Sequence, residues 1–195
     1  MIATHDDIRF ESAHEALVFA LNAAIQADYP RPVMNKMAAP PPVGAGNGLA
    51  GLDAAAQSGM IRAEIKLLGR LAEAVLFARY APRGIPCACR ATCCSGHKRN
   101  PEWTNAISFL ADYVRTTALA GCVTNGMMRQ EYVVRYFSAK GRISLEDLAE
   151  KHGIVINTVT AHNGKVSKAL RTFEHAANEA AEERLRFVGI VVEKS

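Results

Sequence analysis

Apolar residues recur along most of the chain with the spacing of amphipathic helices. Leu17, Leu21 and Ile25 repeat at every fourth position near the start, and similar stripes follow over 53–80 and 101–120. This spacing brings apolar side chains onto one side of a helix, where they can be buried together. No segment before the apolar tail alternates polar and apolar residues as a strand does. The pattern therefore predicts an all-α fold built as a helical bundle.

Proline and glycine divide the chain into four predicted parts. These are an N-terminal helical segment at 1–37, a Pro/Gly linker at 38–51, a helical region at 52–122 that contains a Cys-rich loop at 84–100, and a C-terminal domain at 123–195. Within the third part we predict one long helix from Asp53, as the N-cap, to Tyr80. Gly59 and Gly69 each weaken a helix enough to allow a break, and of the two interpretations of Gly69 we favour close helix packing. The Cys-rich loop shows no helix or strand pattern.

Residues 143–170 have the features of a helix-turn-helix, which we place in the C-terminal domain. Ser144 is a suitable cap for the first helix, and Asn157 for the second. Ala149 is small where the helices would cross, and Gly153 opens the turn four residues later. At 100° per residue, the inward face of the second helix consists of Val159, His162, Val166 and Leu170.

The opposite face of the second helix is predicted to contact DNA. Its residues are polar, small or basic: Asn157, Thr160, Ala161, Gly164, Lys165, Lys168 and Arg171. An Asn amide can form a paired hydrogen bond with adenine, and basic side chains suit phosphates. No acidic residue lies between Glu150 and Glu174, whereas this window holds four basic residues. A helical hairpin that only packs against the protein is the alternative, and the combined features favour DNA binding.

The cysteines are concentrated in one short segment that offers metal ligands. The candidate ligands are Cys87, Cys89, Cys93, Cys94 and His97, five groups for the four positions of a tetrahedral zinc. A structural zinc would order a loop that has no core of its own. Reduced cysteines in a loop, a thiol switch and an iron–sulfur cluster remain alternatives. A catalytic zinc is disfavoured because no Asp or Glu lies near these ligands in the sequence.

Composition and charge narrow the class of protein further. The 195 residues carry a formal charge of +4, and 49% of them are hydrophobic, which is typical of a globular protein. Four basic residues, Arg83, Arg90, Lys98 and Arg99, flank the cysteines. No apolar run reaches the roughly 20 residues that span a bilayer. The first residues include acids where a secretion signal has basic residues, so we expect a cytoplasmic protein.

The second helix resembles the recognition helix of sigma-factor region 4 and of LuxR-type DNA-binding domains. The resemblance lies in Thr158, Val159, His162, Val166 and Leu170. Most of the chain is similar to prophage DNA-binding proteins related to phage antitermination proteins of the Q type. That resemblance is carried by 14–17, by the cysteine motif at 86–97 and by the helix-turn-helix.

This resemblance implies a transcription regulator that binds double-stranded DNA and acts with RNA polymerase in the bacterial cytoplasm. A homodimer on DNA is compatible with it. No Ser/His/Asp set, phosphate-binding loop or His-Glu-x-x-His motif is present, so we expect a protein that is not an enzyme. A plain repressor or activator, and a zinc-dependent enzyme acting on nucleic acid, are the alternative functions.

Overall fold

A computed structural model describes residues 10–27, 52–87, 89, 95–138 and 142–192 of the chain. Within these ranges the fold is mainly helical, as predicted. Its elements are α1 (Ala13–Ala27), α2 (Leu52–Leu67), α3 (Arg70–Tyr80), β1 (Gly84–Pro86), β2 (His97–Arg99), α4 (Pro101–Thr116), α5 (Gly126–Phe137), α6 (Leu145–His152) and α7 (Ile156–Phe187). The predicted linker at 38–51 lies outside the described residues.

Polar side chains fix the starts of several helices, among them α4, α5 and α6. The Asn100 side chain accepts a hydrogen bond from the Glu102 N–H at 3.0 Å, and Asn125 does the same for the Met128 N–H at 2.8 Å. At α6, the Ser144 hydroxyl accepts from the backbone of Asp147, whose carboxylate accepts from the backbone of Ser144. These contacts satisfy N–H groups that have no partner within their own helix.

Two predicted features of the helices are wrong. The long helix from Asp53 to Tyr80 is broken between α2 and α3, where Gly69 has a φ of +90°. A methyl group at Gly69 would meet no atom within 4 Å, so the glycine serves the backbone turn and not close packing. The first part begins at Leu52, so Asp53 lies within its first turn rather than at its N-cap.

The Cys-rich region is also more regular than its sequence pattern predicts. β1 and β2 pair as an antiparallel hairpin, with Gly84 opposite Arg99 and Pro86 opposite His97. The strands are only three residues long, too short for a hydrophobic alternation to show in the sequence. In the described part of the apolar tail, strand pairing is limited to one parallel bridge between Phe10 and Val191.

The last helix, α7, connects the two ends of the molecule. Its first half buries Val166 and Leu170 next to α5 and α6, and its second half buries Ala181 and Leu185 among α1, α2 and α3. Buried residues from all seven helices of the described ranges join one hydrophobic core. Among the described residues, no helix combines the length and apolar character that crossing a membrane requires.

Candidate nucleic-acid interface

The segment predicted as a helix-turn-helix consists of α6, a short turn and the first half of α7. Gly153 takes the left-handed conformation, with a φ of +62°, and its N–H is donated to carbonyls at the end of α6. Leu148 and Ala149 are buried between the helices. α7 begins at Ile156 with Val155 at its N-cap, so the prediction that Asn157 caps this helix is wrong. Asn157 lies inside the first turn, where its side chain is exposed.

The two faces of the first half of α7 differ sharply in burial. The predicted inward residues Val159, Val166 and Leu170 are 0% exposed, and His162 is 7% exposed. The predicted DNA-facing residues are all exposed: Asn157, Thr160, Ala161, Gly164, Lys165, Lys168 and Arg171. The structure therefore brings these seven residues together on one side of α7.

Lys165 has a contact that the sequence did not indicate. Its ammonium nitrogen lies 3.6 Å from the Cys122 sulfur, in the connection between α4 and α5. Cys122 is partly buried and packs against the hydrophobic core. The Lys165 side chain therefore lies along the edge of the α7 face that adjoins this connection.

Lys151, one of the four basic residues between Glu150 and Glu174, is neutralised by an ion pair. Lys151 and His152, in the last turn of α6, both contact the carboxylate of Glu131 on α5. Burial acts to raise the pKa of Glu131, but hydrogen bonds from His152 and Lys151 outweigh it and hold the pKa below its usual value. Lys151 therefore links α6 to α5, and the unpaired positive charge of this window comes from α7.

His162 is a buried polar group on the inward face of α7. Its Nδ1 and the hydroxyl of Tyr132 are both buried and have no hydrogen-bond partner within the described ranges. The two rings pack edge to face with centroids 6.3 Å apart. Burial lowers the pKa of His162, and the charge of Lys165 lowers it further. A neutral imidazole is therefore the form that suits this position.

The end of the α7 face is connected to α5 through a polar network. The Tyr136 hydroxyl donates to Glu174 at 2.7 Å, and Arg79 of α3 pairs with the same carboxylate at 2.6 Å. Burial and the Glu174 hydrogen bond raise the pKa of Tyr136 to about 12, while Arg79 and Arg171 act in the opposite direction. Arg171 is thus close enough to the end of α5 to act on the pKa of Tyr136.

The structure positions part of the predicted metal site. Cys87 directly follows β1 and His97 begins β2, and the Cys87 N–H donates to the Gly96 carbonyl at 2.8 Å. Gly96 has a φ of +80°, which allows the chain to fold back between Ser95 and His97. Cys89 is exposed, and Cys93 and Cys94 lie outside the described residues. No group of three potential ligands is gathered among the residues that the structure describes.

The described ligands are compatible with zinc but do not complete a site. One thiolate and one imidazole at the same end of a hairpin are groups that zinc uses, and a tetrahedral site needs two more. Cys87 and His97 would supply half of it, and a bound zinc would hold the two strands together at that end. The zinc site as a whole stays a prediction.

One contact between the hairpin and α5 could not be found from local sequence. Arg83, just before β1, donates to the hydroxyl of Ser138 at the end of α5. Arg142 donates to the Ser138 carbonyl. Arg83 and Ser138 are 55 positions apart along the chain, so no local spacing rule connects them, whereas Arg142 lies four positions after Ser138. The cluster of basic residues near the cysteines was the one available signal.

Comparisons with known proteins give no relative for this chain: no family model matches it, and searches of the curated proteins and of the solved structures found no match. The resemblance to phage antitermination proteins therefore stays a prediction. The geometry and charge of α6, α7 and the hairpin remain as the basis for a function.

Proposed function

We propose that this protein is a sequence-specific DNA-binding regulator of transcription of the phage type. It would read double-stranded DNA through a helix-turn-helix formed by α6 and α7. The observation that carries the proposal is the exposed face of α7, where three basic residues, an amide and two very small residues lie opposite a buried apolar stripe. The described chain carries no acidic residue from 151 to 173 to oppose phosphates on this face.

The parts of this face take different roles in the major groove. Asn157 lies in the first turn of α7, the part of a recognition helix that meets base edges. Ala161 and Gly164 let the helix backbone approach the bases, because neither has a long side chain. Lys168 and Arg171 lie further along the helix, where charged side chains can bind the phosphate backbone.

The antitermination role is the finer part of the proposal. It requires a contact with RNA polymerase in addition to DNA, in the cytoplasm of a bacterial host. The opposite end of α7 offers a surface for such a contact, because Phe187 is 81% exposed and Glu183 is exposed beside it. This end lies about 33 Å from Lys165 along the helix axis, at 1.5 Å per residue. A protein bound there would not cover the DNA-facing residues.

The alternatives differ in what they require. A plain repressor or activator uses the same DNA contacts without an effect on termination. A zinc-dependent enzyme needs an open metal position and a general base beside it. We propose a non-enzymatic regulator because the described residues next to Cys87 and His97 include no carboxylate.

The first experiment tests DNA binding by selection from a random duplex library. We expect the protein to enrich one sequence, and log affinity for it to fall with log salt at a slope of about −0.9 per phosphate contact. Asn157→Ala should lower discrimination at one base pair by about 1–3 kcal/mol. Lys66→Gln, on an exposed position of α2, is the control and should change neither quantity. Failure to enrich any sequence would rule out specific DNA binding.

A second experiment separates antitermination from simple regulation. Run-off transcription past a terminator would be measured with a template that carries the selected sequence near its promoter. Increased read-through that depends on this sequence supports antitermination. A change in initiation without a change in read-through identifies a repressor or activator.

A further inference from the structure

The hairpin carries a second basic surface that the α7 face does not include. His97, Lys98 and Arg99 are all exposed along β2, so both faces of this strand are accessible to solvent. Lys98 and Arg99 form no ion pair with any acid in the part of the chain that the structure describes. Two adjacent unpaired cations on a short exposed strand are suited to an anionic partner.

The base of this hairpin is held firmly to the helices. The Asn100 side chain donates to the Pro82 carbonyl at 2.9 Å, and the Asn100 N–H donates to the Arg83 carbonyl at 2.9 Å. Arg83 also stacks over the Trp103 ring, with its guanidinium carbon 5.4 Å from the ring centroid. Its side chain reaches Ser138, which is 2% exposed and also binds Arg142. These contacts fix the direction in which the hairpin leaves the bundle.

Ser138 is connected through α5 to the end of the basic face of α7. It follows Tyr136 by two residues, and Tyr136 binds Glu174 on α7. Arg171 is one turn before Glu174 and acts on the ionisation of Tyr136. Arg79, near the end of α3, also pairs with Glu174, and Arg83 four residues later reaches Ser138. The base of the hairpin is therefore joined, through α3 and α5, to the part of α7 that directly follows Arg171.

We propose that Lys98 and Arg99 bind the phosphate backbone of the DNA beside the groove that α7 occupies, with the Arg83–Ser138 contact as the positioning element. This inference rests on the proposed DNA-binding function. Duplex DNA carries one negative charge per about 1.7 Å of its axis, so a cation displaced sideways from the recognition helix still finds a phosphate. Contacts of this kind fix the register of a recognition helix without reading bases themselves.

The test compares two double variants that remove the same charge. The variant Lys98→Gln/Arg99→Gln removes two positive charges from the hairpin. The control Lys66→Gln/Arg186→Gln removes two positive charges from exposed positions on α2 and on the far end of α7. Affinity for the selected duplex would be measured between 50 and 200 mM salt, a range that is about fourfold. We expect the hairpin variant to lose about two units of the salt slope, at roughly one per contact, and the control to lose none.

Two further measurements distinguish a failure of this inference from a failure of the proposed function. Lys168→Gln/Arg171→Gln removes cations from α7 itself. If this variant reduces the slope and the hairpin variant matches wild type, the hairpin inference is overturned while DNA binding stands. If neither variant changes the slope, or no duplex is selected, the proposed function fails first.

A charge-neutral variant tests the positioning role. Ser138→Ala removes the hydroxyl that receives Arg83 without changing net charge. We expect it to reduce the salt slope partway towards that of the hairpin variant, and to remove hydroxyl-radical protection only at backbone positions flanking the central groove. A Ser138→Ala protein that has a normal melting curve and full wild-type protection would overturn the positioning role.

Discussion

The β1–β2 hairpin differs from the α6–α7 unit, which consists of α6, the turn at Gly153 and the first half of α7. Both are basic and exposed, yet they are stabilised in different ways. The α6–α7 unit buries Leu148, Val159, Val166 and Leu170 completely and is fixed at its start by a capping box. The hairpin has three residue pairs, and none of its strand residues is fully buried. Its position depends on polar contacts at its base and, by our prediction, on zinc at its other end.

This difference shows how a charged surface can be supported with or without a hydrophobic core. Removing apolar surface from water stabilises the α6–α7 unit regardless of its surface charge. The hairpin gains little from burial, so each hydrogen bond and any bound metal accounts for a larger share of its order. Changes to the core should therefore affect α7 strongly, and changes to ligands should affect the hairpin.

The largest expected effect is from Leu170→Ala, which should lower the free energy of unfolding by about 2–5 kcal/mol. Leu170 is 0% exposed, so the shorter side chain leaves a cavity in the core of the α6–α7 unit. Leu67→Ala is the matched control, because Leu67 is 68% exposed and its loss should stay within about 0.5 kcal/mol. Urea unfolding of both variants measures the difference. Equal losses would mean that α7 is not packed as described.

Ser144→Ala should have a smaller effect, about 1 kcal/mol of the free energy of unfolding. The substitution removes the oxygen that accepts the Asp147 N–H at 2.9 Å and breaks the capping box of α6. Ser167→Ala, in the interior of α7, should be neutral or slightly stabilising because alanine has the higher helix propensity. Thermal melts of the two variants give the comparison. A neutral Ser144→Ala would indicate that α6 does not depend on its cap.

Acid should destabilise the protein partly through His162. Burial and Lys165 lower its pKa in the folded state, so below pH about 6.5 the unfolded chain binds the proton more readily. The stability from neutral His162 is present above that pH and is lost as the pH falls through the folded-state pKa. When the pH falls from about 7.5 to about 5.5, the free energy of unfolding of His162→Gln should decrease less than that of wild type. His175→Gln, at an exposed position on the same helix, should behave as wild type.

Removal of zinc should change the global free energy of unfolding less than any of the substitutions above. Its effect should be confined to the hairpin. We expect about one zinc per chain, and chelation should speed exchange of the Cys87 and Asn100 N–H groups, which hydrogen-bond within the hairpin region. The Asp147 N–H, in the α6 cap, should exchange as before. Elemental analysis that finds no metal in fresh, reduced protein would contradict the prediction.

The features predicted best from the sequence are those that arise from local periodicity. The inward stripe of α7, the cap at Ser144 and the turn at Gly153 all follow from residues within a few positions of one another. The exposure of the predicted DNA-facing residues follows from the same stripe, because a helix that buries one side exposes the other.

Features that depend on distant residues were not predictable in the same way. The pairing of Lys151 with Glu131 joins residues 20 positions apart, and the bond from Arg83 to Ser138 spans 55 positions. The break at Gly69 was the disfavoured alternative, because a glycine within a helical pattern fits both close packing and a turn. The start of α7 at Ile156 was missed because Asn157 has a side chain suited to a cap that the backbone does not use.

The continuity of α7 fixes the rotational phase between the two ends of the molecule. The exposed face at Lys168 and the buried residues Ala177 and Ala181 belong to one uninterrupted 32-residue helix. Insertion of a single residue between them would turn one face by about 100° relative to the other, because a helix has 3.6 residues per turn. The length of this stretch is therefore as constrained as its composition. Substitutions at its exposed positions can change what is read, whereas an insertion would turn the reading face away from the direction set by the bundle.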